Sequence, residues 1–193
     1  MNLLFDQILR FTQDDTRTQM SKLAEQRVGL FVDIQNLYYT ARNVYNARVN
    51  FNAIIKDAVG ERPLVRAIAY GIRAQMPEEQ TFFDALAKAG FEVKLKDLQA
   101  FYGGTKKGDW DVGIVMDIIK LNNKLDTVIL ASGDGDYIPL LEYLQIMGQR
   151  VELLSFGKST SSKMRELVDH HLDIDSDPRK YLMPIRTKSV RRR

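Results

Sequence analysis

Two apolar runs that end abruptly in acid constrain this chain more than anything else in it: VGLFVDIQN at residues 28–36 and TVILASGDGDYIPLL at residues 127–141. A nearly continuous apolar run suits a strand covered on both faces, as in a parallel sheet. Such a strand delivers whatever follows it to the sheet's carboxyl edge, where open α/β folds bind their ligands. Asp33 closes the first run, and Asp134 and Asp136 close the second. Acids from two distant stretches then converge on one spot. They repel one another there unless a cation holds them. The pattern therefore predicts a divalent-metal site, and with it phosphate chemistry.

The rest of the chain alternates in the same way. Strands are predicted at 27–33, 64–72, 91–98, 127–132 and 150–156, with a short edge strand at 171–174. Helices are predicted at 36–46, 51–59, 77–89, 109–122, 136–147 and 160–169, and Gly90 and Gly148 stop two of them. Alternating strands and helices imply an α/β fold with a parallel sheet. Leu4, Ile8 and Phe11 recur at helical spacing, so residues 3–26 read as a helical extension that packs on the domain or on a partner, including a second copy of the chain. The expected division is 1–26 for this extension, 27–174 for the domain, and 175–193 for a basic, disordered tail.

Composition excludes several chemistries. The chain has no cysteine, so disulfides and thiolate metal sites are ruled out, in keeping with a reducing compartment such as the cytoplasm. His170 and His171 are the only histidines, which argues against a histidine-based zinc site or triad. No run of about 18 apolar residues is present to span a membrane. The first residues, MNLLFDQILRF, do not read as a signal peptide. The net charge of +3 conceals a division. Residues 179–193 hold seven cations and no acid, leaving 21 basic against 25 acidic residues in 1–178. Such a tail either binds a polyanion through counterion release or serves only as a solvated end.

Several residue types could carry the chemistry. Asn36, three residues after Asp33, either orients a phosphate or a water or caps the next helix. Ser132 and the two glycines of Ser132-Gly133-Asp134-Gly135-Asp136 let the backbone turn sharply and approach a ligand. In Lys107-Gly108-Asp109-Trp110-Asp111, one acid starts a helix; Asp111 is the better ligand candidate, with Asp109 open as the alternative. Asp117 lies roughly 240° around that helix from Asp111, so the two cannot both point squarely into one site. Among apolar neighbours, Asp117 needs a partner. Lys107 suits a phosphate or open solvent. Trp110, Tyr38 and Tyr39 suit either base stacking or anchoring in the core.

FVDIQN, KGDWDVGIVMD and ILASGDGDYIPLL together resemble the three signature blocks of the NYN domain, a branch of the PIN-like metal-dependent ribonucleases, and are most similar to its bacterial LabA-like (DUF88) group. The resemblance covers about residues 27–174. It implies a PIN-like three-layer sandwich, with a mostly parallel sheet of five or six strands and helices on both faces. It also implies an acidic pocket for Mg²⁺ or Mn²⁺ with RNA as substrate. By position in the blocks, Asp33, Asn36, Asp111, Asp117, Asp134 and Asp136 fall at catalytic places. Asp33, Asp111, Asp134 and Asp136 would hold metal, while Ser132, Lys107 and Trp110 would meet substrate and the tail would add attraction for nucleic acid. Two rivals remain. One is a non-catalytic RNA-binding or regulatory module. The other is a haloacid-dehalogenase-like phosphatase, which needs a second Asp where Gln35 stands.

Overall fold

The computed structural model describes residues 24–73, 77–100, 106–107 and 109–185. In chain order the elements are β1 (Val28–Asp33), α1 (Ile34–Tyr45), β2 (Ala47–Val49), α2 (Phe51–Val59), β3 (Leu64–Arg73), α3 (Pro77–Lys88), β4 (Glu92–Asp97), β5 (Gln99–Ala100), β6 (Lys106–Lys107) and α4 (Asp111–Leu121). They continue with β7 (Thr127–Ala131), α5 (Ile138–Ile146), β8 (Arg150–Ser155), α6 (Ser162–Leu167), β9 (His170–Asp173), α7 (Pro178–Tyr181) and β10 (Leu182–Pro184).

Six strands form one sheet in the order β4-β3-β1-β7-β8-β9, and every pairing in it is parallel. β1, β7 and most of β8 are buried along their whole length, as their apolar runs require. Successive side chains of a strand enter opposite faces. Val28, Leu30 and Val32 accordingly join one core with Leu37, Ile54 and Phe83, from α1, α2 and α3. Phe31 joins the other with Ile114, Ile118, Leu141 and Met164, from α4, α5 and α6. Helices thus cover both faces of the sheet in three layers. Gly90 and Gly148 end their helices at φ 99° and 74°, a left-handed geometry that costs glycine little. Among the described residues no helix is long and apolar enough to cross a membrane.

The C-terminal stretch departs from expectation. Residues 175–185 are not a disordered tail. Asp177 caps α7, β10 pairs antiparallel with β2, and Tyr181 is buried with its hydroxyl donating to Asp57 Oδ2 at 2.6 Å. The apolar residues Tyr181 and Leu182 reach back to the core of α1 and α2, which charge counting alone does not register. The expected helix over 3–26 lies almost wholly outside the described residues, as does the basic segment 186–193.

Candidate active site

From β1 the chain moves outward to β3 and β4, then returns to the other side of β1 at β7. Where strand order reverses, the connections diverge and leave a crevice at the carboxyl edge. The β1–β7 ladder ends with Val32 opposite Ala131. The next residues, Asp33 and Ser132, meet through their side chains: Ser132 Oγ donates to Asp33 Oδ2 at 3.3 Å. Asp33 Oδ1 accepts the Asn36 N–H at 3.1 Å, so Asp33, not Asn36, caps α1. The Asn36 side chain instead accepts the Gly133 N–H at 2.9 Å and ties the loop after β7 to the first turn of α1. Ser132 Oγ accepts the Asp134 N–H at 3.2 Å, and Asp134 Oδ1 accepts the Asp136 N–H at 3.0 Å.

Gly133 serves this loop through space rather than through its φ. A Cβ there would stand 2.9 Å from Thr160 Oγ1, whereas one at Gly135 would meet nothing closer than 3.9 Å.

A residue not singled out in the sequence completes the pocket. The Tyr137 hydroxyl lies 3.0 Å from Asp111 Oδ1 and 3.4 Å from Asp33 Oδ2. It has one proton to share between two carboxylates. Asp111 is the first residue of α4, where the helix dipole favours negative charge. Asp33 is only 7% exposed. Burial above all, with the charges of Asp111 and Asp134, pushes its carboxyl up to about 6, against the hydrogen bonds from Asn36 and Ser132. Burial also raises Asp111, as do Asp109, Asp134 and Asp136, against the Tyr137 hydrogen bond. Burial above all, with the charges of Asp33, Asp111 and Asp134, pushes the Tyr137 phenol far up, so its proton stays in place. Tyr137 follows Asp136 at the start of an apolar helix and so reads from sequence as an ordinary core aromatic.

Three expectations need correction. Asp117 is not part of the pocket. Its Oδ2 accepts from Lys94 Nζ at 2.7 Å and from the Tyr70 hydroxyl at 3.0 Å. Burial works to raise it, but these partners prevail and hold it below the ordinary carboxylate range. It pins α4 to β3 and β4. Trp110 is an anchor rather than an open stacking platform. Its indole N–H donates to Gly71 O at 2.8 Å, its ring meets Tyr70 edge-on, and Lys96 Nζ lies 4.2 Å from its centroid. A Cβ on Gly113 would lie 2.6 Å from that ring. Ser132 is fully buried between Asp33 and Asp134, so it is a tie within the site and not a substrate contact.

The remaining candidates are placed as follows. Asp111, joined to Asp33 through Tyr137, is the pocket acid of the middle block. Asp109 stands beside it, its carbonyl accepting from Lys96 Nζ at 3.0 Å. Asp136 is exposed at the rim. Lys107 lies in β6, paired with Gln99 in β5; its side chain is outside the described residues.

The donor chemistry suits a hard divalent cation: carboxylate oxygens on separate elements whose mutual repulsion a cation would relieve. Among the described residues no three His, Cys, Asp or Glu side chains already stand as a metal-holding group. Mg²⁺ asks for less, commonly one or two carboxylates with water and substrate phosphate completing the shell. Asp33 and Asp111, with Asp134 beside them, fit that requirement.

A parallel three-layer sandwich with acids at its switch point is the arrangement of PIN-like, nuclease-like domains. The chain belongs to the NYN domain family, whose model matches residues 27–175. It is similar to the low amplitude and bright protein LabA of Synechococcus elongatus, at 24% identity over 158 residues, covering 77% of this chain and 84% of that protein. It is also similar to the crystal structure of a protein of unknown function from Vibrio parahaemolyticus. That likeness has a TM-score of 0.76 and 35% identity, and covers 83% of this chain and 98% of the other.

Proposed function

We propose that the chain is a divalent-metal-dependent ribonuclease that hydrolyses RNA phosphodiester bonds at the Asp33–Asp111–Asp134 pocket. The observation that carries this reading is the buried Asp33 carboxyl, pushed up to about 6 and joined to Asp111 by Tyr137 at the β1–β7 switch point. Carboxyls raised by burial beside other acids cluster at functional sites. Asp33 and Asp111 would hold Mg²⁺ or Mn²⁺, with Asp134 and Asp136 contributing from the loop. Such an ion neutralises charge on the phosphoryl oxygens and acidifies water. Ser132 and Tyr137 fix the Asp33 carboxylate by hydrogen bonds, and Asn36 fixes the Asp134 loop through Gly133. These ties hold the donors in place before substrate arrives.

The test is cleavage of single-stranded RNA with Mg²⁺ or Mn²⁺. EDTA should abolish it, and Asp33→Ala and Asp111→Ala should each lower it by at least about a hundredfold while remaining folded. Full activity in both variants would refute the assignment. One observation favours a second reading, a regulatory module that binds RNA without cutting it: the Tyr137 hydroxyl already bridges the two carboxylates. On that reading wild type binds RNA but cleaves nothing in either metal.

A further inference from the structure

Helix α4 turns its polar groups inward and its apolar ones outward, the reverse of an ordinary surface helix. Of its eleven residues only Asp111, Asp117 and Lys120 carry polar side chains. Asp111 meets Tyr137 at the acid pocket, and Asp117 is held by Lys94 and Tyr70. Ile114 and Ile118 are buried against the sheet. The side left to solvent carries Val112, Met116 and Ile119, which are 73%, 43% and 38% exposed. At 100° per residue these three fall within about 60° of arc and form one stripe. A helix that is apolar on every side belongs between two apolar layers, and the sheet supplies only one.

The stripe has a neighbour. α4 leads into β7 and α5 leads out of it, both pack on the same core, and α4 touches the turn Gly135–Tyr137 that opens α5. The two helices therefore lie side by side and point the same way. α5 buries Leu140, Leu141 and Leu144 and exposes Tyr143, Ile146 and Met147. Single apolar side chains on a surface are ordinary, but contiguous apolar patches mark protein–protein contacts.

Charge identifies the occupant. The amino end of α4 is acidic: Asp109 and Asp111 stand there with Asp33 and Asp134 behind them, against Lys96. Just past the carboxyl end the balance reverses. Lys120 and Lys124 are exposed there, and Asp126 is answered by Arg27. A two-fold axis can pair α4 with its own copy in two ways. In a parallel pair, acids meet acids and lysines meet lysines. In an antiparallel pair, each acidic end meets the partner's lysines, and the helix dipoles attract. We infer that this face is the interface of a homodimer in which α4 packs antiparallel on α4 of a second copy, about a two-fold axis at Met116. The axis sets Met116 against its symmetry mate, and methionine adapts readily to such a contact. Lys120 of the partner subunit then stands opposite Val112, so each acidic end gains a cation from across the interface. The dimer goes beyond the ribonuclease reading and does not depend on it.

The experiment is sedimentation velocity of the full chain at high micromolar concentration, joined to cysteine cross-linking. Wild type should sediment with twice the mass of one chain, and Met116→Glu with the mass of one while keeping the wild-type circular dichroism. Changing Lys120→Glu and Lys124→Glu together should raise the dissociation constant of the dimer by roughly tenfold. The chain has no cysteine, so one introduced thiol reports its own position. Met116→Cys should join two copies by a disulfide under mild oxidation, because the axis brings the two thiols together. Val44→Cys, exposed on α1 at the other face of the sheet, should not. A wild type that stays monomeric overturns the dimer and leaves the stripe to a different protein. A dimer that survives Met116→Glu, or that Val44→Cys links as readily as Met116→Cys, has its interface elsewhere. A dimer lost in Met116→Glu but indifferent to the lysine changes refutes the antiparallel pairing. Should Met116→Glu fail to fold, the two cysteine variants decide.

Discussion

Asp33 is asked to do two things that conflict: to cap α1 from a buried position, and to remain an ionisable group beside other acids. Its carboxyl, pushed up to about 6, shows the cost. In the unfolded chain the same group titrates near 4. The folded state therefore binds more protons between these values, and stability falls as pH rises through that window. Above about 6 the full penalty is present, about 3 kcal/mol. Asp33→Asn keeps the cap and removes the charge, so it should be inactive yet melt higher than wild type at pH 7.5. That gain should shrink steadily towards pH 4, which thermal melts across a pH series would measure; a constant gain would show that the shift is not real. Asp117 is the contrasting acid. Its charge is answered by Lys94 at 2.7 Å, and neither group is fully buried. Asp117→Asn should cost about 1 kcal/mol in denaturant melts and leave RNA cleavage intact.

The elements that the pattern revealed are those whose whole length is buried. β1 and β7 are apolar at nearly every position, and no other local structure suits such runs at the centre of an α/β sheet. β2 and β10 were not legible, because strands of three residues carry no periodicity and are held by pairing to each other. The convergence of Asp33 with the Asp134 loop followed from strand ends, and the divergence of Asp111 from Asp117 followed from helix geometry. What could not be read was which way a long side chain would turn for its partner: Tyr137 between two acids, Lys94 towards Asp117, Trp110 down onto Gly71. The loop after β7 adds a test of close packing. With a Cβ at position 133 only 2.9 Å from Thr160 Oγ1, Gly133→Ala should push the loop off its ties to Asn36 and lower stability by about 1–3 kcal/mol, with a loss of cleavage. Thr160→Ala in the same chain should recover part of both, as read by melting and by rate.

For the molecule as a whole, acids gathered at one edge mean that a cation bound there stabilises the entire fold by mass action. At a hundred times its Kd, Mn²⁺ should add about 2.7 kcal/mol to unfolding, and in Asp33→Ala it should add little. Calorimetry with and without the ion would show this, and equal shifts in both proteins would place the ion elsewhere. The pairing of β10 with β2 has a different reach. The Asn50 side chain donates to the backbone of Lys180, 130 residues further along. A ribosome will have released most of the sheet strands before it makes the segment that closes over α2. The nascent domain therefore waits with Val49 and Asp57 unmatched until its final stretch emerges, and a premature stop within α7 would leave a sheet that is complete but unlatched.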